Sequence, residues 1–237
     1  MPTIRLDAVN AGYGKFHVLF DITSAIEDKR MTIVVGPNGS GKSTLLKSIF
    51  GLTSIYSGDV FLGEEKITSL APHQIARKGI AYVPQVRNVF PNLSIRENLM
   101  MSGYTLDPKE VQTRVKEVMG YYPILKECYG RKANTLSGGE RQMLAMAMAL
   151  IRQPNVMLFD EPTANLSPKL STQVLDEIKR LRDDMGKTVI LVEQNAIKAL
   201  SCGDKALLLV GGRINFDGDA ADLLNSPELG ALYLGLK

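Results

Sequence analysis

The sequence contains no tryptophan, two cysteines and two histidines. Cys128 and Cys202 lie far apart and share no metal-ligand spacing, which argues against a cysteine-based metal site and predicts two reduced thiols of a cytosolic protein. His17 and His73 are isolated and read as surface or packing residues. The N-terminus, Met-Pro-Thr-Ile-Arg-Leu-Asp, lacks an apolar signal stretch, so no secretion signal is expected. The longest apolar run, Met143 to Ile151, is far below the roughly 18 residues that a membrane span needs. Neither sign of charge dominates: 28 Lys and Arg against 25 Asp and Glu leave +3, too little to suggest nucleic acid as a partner. No repeat, low-complexity tract or Pro/Gly/Ser linker breaks the chain. The 237 residues, 45% hydrophobic and 22% charged, are enough for one large domain or two small ones with a sizeable core.

Pattern along the chain gives an organisation. Thr3 to Ile26 alternates as short strands, with Gly12-Tyr13-Gly14 as a turn. Met31 to Val35 reads as a buried strand that runs into a glycine-rich loop and then a helix from Lys42 to about Phe50. A hairpin-like segment, Gly58 to Ile67, and a strand, Gly79 to Val83, follow. From Ser94 to about Leu150 the period is helical, with a capping box at Ser94 and Glu97 and a start signal at Asp107-Pro108. Methionines 143, 146 and 148 fall in this stretch and suit core packing better than soft-metal binding. Strand and helix then alternate: Val156–Phe159, Pro168–Asp184, Thr188–Val192 and Lys205–Val210. A short final helix is expected from Ser226-Pro227. The order predicts a parallel α/β core interrupted by a helical insertion.

Three motifs carry chemistry. Gly36-Pro37-Asn38-Gly39-Ser40-Gly41-Lys42-Ser43 fits the P-loop pattern between a strand and a helix. Its glycines let backbone N–H groups turn inward as an anion nest, and the helix start adds its positive end. Lys42 supplies a point charge for β- and γ-phosphates, and the Ser43 hydroxyl suits octahedral Mg²⁺. Second, Val156 to Glu161 is an apolar strand ending in two acids. Strand alternation makes Asp160 and Glu161 point differently, one toward the metal's water shell and one toward a water attacking the γ-phosphate. Read alone, the pair would be a solvated acidic turn. Third, Leu136-Ser137-Gly138-Gly139-Glu140 opens a helix. Ser137 and Glu140 form a capping box, yet two glycines in a first turn cost stability. A bare helix N-terminus that met a phosphate would offset that cost, and the phosphate would belong to a second subunit because Lys42 and Ser43 fill the chain's own P-loop.

With these motifs in this order and spacing, the chain resembles the ATP-binding subunits of ABC transporters over essentially its whole length. The resemblance implies an α/β fold: a P-loop ATPase core with a parallel sheet, an N-terminal antiparallel β part and a helical insertion. Residues 1–86 and 154–237 would form the core and 87–153 the helical part with the signature. It implies ATP hydrolysis with Mg²⁺ in a head-to-tail dimer. Each ATP would be sandwiched between Gly36 to Thr44 of one subunit and Ser137, Gly138 and Gly139 of the other. Tyr13 matches the aromatic that stacks on adenine. Gln85 matches a glutamine that contacts the metal beside Ser43 and Asp160 and relays nucleotide state to the helical part. Ala164-Asn165-Leu166-Ser167 occupies the loop that touches the opposite subunit. Lys42, Glu161 and Gln194 would carry the chemistry.

Two positions depart from the family's common pattern. Ser167 stands where an aspartate is usual, and Val192-Glu193-Gln194-Asn195 stands where a switch histidine is usual. Gln194 would donate an amide N–H to the γ-phosphate or attacking water without a titratable charge; otherwise it is a helix-start residue facing solvent. With Pro84 to Pro91, these features resemble the subgroup serving branched-chain amino-acid uptake. That subgroup implies a peripheral subunit on the cytoplasmic face of the membrane. It would act through a separate permease docked near Val86–Tyr104, where Val89, Phe90, Leu93 and Leu99 to Met101 offer apolar surface, and indirectly with an extracytoplasmic binding protein. Urea, short-chain amides or an exported lipid are the alternative cargoes. A soluble ABC ATPase acting on ribosomes or DNA fits less well, since the span from Lys42 to Ser137 holds no long coiled coil. A P-loop GTPase would need a guanine-reading Asn-Lys-x-Asp, which is missing. The chain ends soon after Gln194, which predicts no appended regulatory domain.

Overall fold

The computed structural model describes residues 2–226. The final helix expected from Pro227 lies outside them. The chain opens with β1 (Pro2–Tyr13) and β2 (Phe16–Glu27), two 12-residue antiparallel strands rather than several short ones. Register shifts near Leu6–Val9 and left-handed backbone at Ala8 and Asp21 bend the pair, and that bending interrupts the alternation seen in sequence. The turn falls at Gly14-Lys15 and shares only Gly14 with the expected Gly12-Tyr13-Gly14, since Gly12 and Tyr13 still belong to β1. β3 (Met31–Val35) leads through the glycine loop to α1 (Lys42–Ile49). β4 (Ser54–Leu62) and the two-residue β5 (Glu65–Lys66) complete a four-stranded antiparallel sheet in the order β2-β1-β4-β5.

After α2 (Pro72–Arg77) and β6 (Ile80–Val83) come four consecutive helices: α3 (Ile95–Ser102), α4 (Pro108–Tyr121), α5 (Pro123–Glu127) and α6 (Gly138–Leu150). Ser94 and Asp107 cap α3 and α4 as their sequences predict. β7 (Val156–Asp160), α7 (Pro168–Asp183), β8 (Thr188–Val192), α8 (Ala196–Leu200), β9 (Lys205–Val210), β10 (Arg213–Asp219) and α9 (Ala220–Leu224) finish the described chain. The second sheet has six strands in the order β10-β9-β3-β8-β7-β6, with only β10 antiparallel to its neighbour. The sequence reading passed over α2, α8, α9 and β10.

Strands β3, β7, β8 and β9 of this sheet are buried on both faces, which is why they read as unbroken apolar runs. Alternate residues serve different cores. Ile33, Phe159 and Leu191 pack with α3 to α7, whereas Val34, Leu158 and Ile190 pack with α1 and the antiparallel sheet. Met146 is fully buried and Met143 and Met148 pack against the helical core, as expected of the methionines. Leu99, expected on the surface, is 0% exposed and belongs to that core: it sits on the inward face of α3.

One buried polar side chain shapes the loop ahead of α3. Asn98 accepts a hydrogen bond from Phe90 N at 2.7 Å and donates to the carbonyls of Phe90, Leu93 and Ser94 at 3.0, 3.2 and 2.9 Å. Asn98→Ala leaves Phe90 N–H without its acceptor, while the Phe90, Leu93 and Ser94 carbonyls keep backbone donors in Leu93, Ala133 and Asn98 N–H, so it is expected to lower the unfolding free energy by about 1–3 kcal/mol. Urea unfolding of the two proteins checks this; an unchanged midpoint would show that the loop finds other partners.

Candidate active site

The P-loop takes its shape from glycine at two places. Gly36 has φ 145°, and a Cβ there would lie 2.0 Å from the Leu209 carbonyl oxygen. Gly41 has φ 101° and caps α1 with no side-chain bond to the first-turn N–H groups, so these groups point into the loop free of a side-chain acceptor. Ser40 Oγ is buried without a hydrogen-bond partner. Lys42, 5% exposed, donates from Nζ to Gly36 O and Pro37 O, both at 2.9 Å. Burial pushes its ammonium pKa down, while Glu161 and Asp160 push it back up. Bare N–H groups, an orphaned hydroxyl and a buried cation in one turn of chain form a cradle suited to phosphate.

The two acids meet this cradle from β7. Asp160, 4% exposed, accepts from Ser43 Oγ at 2.7 Å on Oδ1 and from Tyr82 Oη at 2.8 Å on Oδ2. Burial, reinforced by Asp160, raises the Tyr82 pKa far above its ordinary value, so the phenol stays a donor. Glu161 lies one residue beyond the strand with φ 46°, and its N–H bonds Val192 O at 2.9 Å. The two carboxylates do diverge, but a left-handed turn separates them and not the strand alternation expected from sequence. Glu161 Oε2 accepts from Gln85 Nε2 at 2.8 Å, which brings Gln85 to the acid pair. Ser43 and Asp160 bring oxygen donors together, and Gln85, held by Glu161, carries an amide oxygen; this donor chemistry suits Mg²⁺ better than a soft metal.

Two clefts adjoin Glu161. One, of about 280 Å³, is lined by Val18, Asn38, Gly39 and Lys42 to Thr44. The other, of about 460 Å³, is lined by Thr163, Asn165, Glu193, Gln194 and Ile197. Gln194 is exposed, but its amide Nε2 is 3.5 Å from Asn38 Oδ1 of the P-loop. The helix that follows is capped by Asn195, whose Oδ1 accepts from Lys198 N, so Gln194 is not the capping residue.

Tyr13 stands at the tip of the β1–β2 hairpin, 41% exposed. Tyr56 Oη donates to Gly14 O and Phe16 O across the turn at 2.9 and 3.2 Å and so braces it. His17 is an exposed residue whose ring lies 4.1 Å from Phe20 and meets Tyr56 edge-on at 5.2 Å.

Ser137 and Glu140 form the capping box read from sequence, with Ser137 N donating to Glu140 Oε2 at 2.7 Å. The structure adds a second reason for the glycines. A Cβ on Gly138 would come within 2.6 Å of Leu166 Cδ2, and one on Gly139 within 3.0 Å of Leu170 Cδ2. The 164–167 loop thus already rests on the signature of its own chain. Among the described residues, the 280 Å³ cleft takes no lining from Ser137, Gly138 or Gly139. A separate, largely apolar cleft of about 650 Å³ is lined by Val89, Phe90, Pro91, Asn134, Arg141 and Met148, among others. Asn88 Nδ2 donates to Gln142 Oε1 at 3.0 Å, tying the segment after Gln85 to α6.

Sequence reasoning missed Tyr82, Tyr56 and Glu193. A tyrosine inside a buried parallel strand needs a partner for its hydroxyl, and an acid directly after an apolar strand repeats the pattern of Glu161; both signals were available at Tyr82 and Glu193.

Comparison with known proteins adds to this geometry. A family profile described as ABC transporter matches residues 19–164. The chain is 52% identical over 233 residues to an Archaeoglobus fulgidus protein named probable branched-chain amino acid transport ATP-binding protein LivF, spanning 98% of this chain and 99% of the relative. It is 40% identical over 232 residues to the high-affinity branched-chain amino acid transport ATP-binding protein BraG of Pseudomonas aeruginosa, at the same coverage of 98% and 99%. Among solved structures, a nucleotide-free ATP-binding cassette from an ABC transporter superposes with a TM-score of 0.87 at 24% identity, covering 97% of both chains. A dimeric cassette in a post-hydrolysis state bound to ADP and phosphate superposes with a TM-score of 0.79 at 27% identity, over 92% of this chain and 98% of that one. The chain belongs to the ABC transporter family and is one of its ATP-hydrolysing cassettes.

Proposed function

We propose that this cassette energises uptake of branched-chain amino acids through a separate membrane permease, on the cytoplasmic face of the membrane. One observation carries the reading: Lys42, Ser43, Asp160 and Glu161 converge on the Gly36–Gly41 loop in a chain that matches a branched-chain amino acid transport relative over 98% of its length. Among the described residues no helix is long and apolar enough to cross a membrane, so the passage itself is assigned to another subunit. The apolar cleft beside Phe90 is the proposed permease-docking surface, and the binding protein acts through that permease. The division into a core, 1–86 with 154–237, and a helical part, 87–153, is supported by the run of α3 to α6 between β6 and β7.

In the proposed mechanism the N–H groups of Gly39 to Thr44 hold the nucleotide phosphates while Tyr13 stacks on the adenine. Lys42 turns its ammonium from the Gly36 and Pro37 carbonyls to the β- and γ-phosphate oxygens. Ser43, Gln85 and Asp160 would hold Mg²⁺, which would supply charge neutralisation on the phosphates. Glu161 accepts a proton from the water in line with the γ-phosphate, and Gln194 donates its amide N–H to the γ-phosphate or to that water. Ser137, Gly138 and Gly139 offer their helix start to the γ-phosphate held by a second copy.

Uptake measurements test the cargo. Deletion of the gene is expected to abolish leucine, isoleucine and valine uptake. The parent chain should restore it and Glu161→Gln should not. Intact uptake of all three, with loss of another solute's uptake, would overturn the cargo while leaving the ATPase. Sizing chromatography tests the shared site. Glu161→Gln with ATP is expected to run as a dimer, and adding Ser137→Arg should return it to a monomer, because a bulky cation would fill the space at the helix start. A double variant as dimeric as its parent would contradict the head-to-tail arrangement.

A further inference from the structure

β8 ends at Val192, and the next side chain, Glu193, is 3% exposed. A carboxylate so placed is costly unless it is hydrogen-bonded. This one accepts three bonds, all from neutral donors. Thr163 N reaches Oε1 at 3.0 Å, Thr163 Oγ1 reaches Oε2 at 2.9 Å, and Gln194 N reaches Oε2 at 3.2 Å. Burial pushes the carboxyl pKa up, the Thr163 and Gln194 donors pull it down, and the Glu161 charge adds to the rise. The bonds span two loops. Thr163 follows Glu161 by two residues and leads into the 164–167 loop, while Gln194 is the residue that reaches Asn38 of the P-loop. Thr163, Glu193 and Gln194 all line the 460 Å³ cleft beside Glu161. Glu161 N–H is itself bonded to Val192 O, so the two loops are already joined on the other side of Glu193.

We propose that Glu193 is a positioning residue: its carboxylate clips the 161–167 loop to the 193–195 loop, so that Glu161 and Gln194 hold one mutual geometry and shift together. This inference rests on the reading of Gln194 as a donor to the γ-phosphate or attacking water. A buried residue that only filled space would need no acceptor at this point; three neutral donors from two loops converge here because the link between the loops is the function. The amide of a glutamine has the same volume but only one acceptor oxygen. Glu193→Gln therefore cannot accept from Thr163 N and from the donors on the other side at once.

A double-mutant cycle on the full chain tests this. Steady-state ATPase is measured for the parent, Glu193→Gln, Gln194→Ala and the double variant. Loss of hydrogen bonds to a charged group predicts that Glu193→Gln lowers kcat about tenfold, while KM for ATP stays within about twofold because the P-loop is untouched. Since Glu193 acts through Gln194, the double variant should be no slower than Gln194→Ala. A double variant slowed by the product of the two single effects would overturn the proposal. So would parent-like kcat in Glu193→Gln while Gln194→Ala is slow, and that outcome spares the reading of Gln194. Parent-like turnover in Gln194→Ala would instead remove the reading of Gln194 and this inference with it. Thr163→Val takes one donor without altering the buried charge and should show the same non-additivity; if Glu193→Gln fails to fold, this variant decides. Hydrogen exchange without nucleotide gives a readout apart from turnover: at least one of the Thr163 and Gln194 amides, which bond different carboxylate oxygens, should exchange faster in Glu193→Gln, and unchanged rates at both would overturn the clip.

Discussion

Glu161→Gln is expected to bind ATP as the parent does and to lose about 10²–10⁴-fold in turnover, the usual worth of a general base. The geometry makes the substitution a clean one. The side chain keeps its length, and the backbone at φ 46° asks the same of glutamine as of glutamate. Gln85 Nε2 can still donate to the amide oxygen that replaces Oε2. Asp160 keeps its own two donors, Ser43 and Tyr82, so the neighbouring carboxylate is undisturbed. What is removed is the negative charge beside Lys42 and, with it, the capacity to take a proton. Phosphate release at saturating ATP, with ATP affinity measured separately by equilibrium binding, checks both halves. Near-normal release from the purified variant would exclude Glu161 as the base.

Gln194→Ala should slow turnover by about 10²–10³, the scale for removing one preorganised donor. The Nε2 atom lies 3.5 Å from Asn38 Oδ1, and Asn195 takes the capping duty of α8, so truncation removes an amide at the P-loop and leaves the helix start intact. Gln194→His offers a ring N–H in its place. It should retain substantial activity and acquire a pH dependence near the imidazole pKa, roughly 6.5, which the parent amide lacks. Rates for parent, alanine and histidine forms from pH 6 to 9 separate these outcomes. An alanine form as fast as the parent would leave Gln194 as a solvent-facing residue and take it out of the site.

Much of the architecture was legible because local pattern and tertiary role agree. Met31–Val35, Val156–Phe159 and Thr188–Val192 are short apolar runs, and each is a strand of the parallel sheet. Ser94, Asp107 and Ser137 carry capping chemistry in their own side chains, so their helix starts could be read directly. β10 could not: Arg213 to Asp219 alternates between exposed and half-exposed residues, and its strand form comes from pairing with β9. α2, α8 and α9 are five or six residues long, too short for helical periodicity to register. At the site, residue identities were legible while mutual contacts were not. Nothing local marks Tyr82 as the partner of Asp160 or Glu193 as the partner of Thr163, because each bond joins segments distant in sequence.

The alternation of β7 between two cores has a consequence for how the acids are held. Val156 and Leu158 face α1 and the antiparallel sheet, and Asp160, on the same side of the strand, meets Ser43 on α1. Phe159 faces the helices. Shifting β7 by one residue would exchange the two sets of apolar side chains and turn Asp160 away from Ser43 in the same stroke. Greasy side chains therefore act as the indexing teeth of the catalytic apparatus. An insertion or deletion within this strand cannot be absorbed as a packing defect alone, and mutations that preserve the β7 core preserve the aim of Asp160, while Glu161 takes its direction from the left-handed turn that follows.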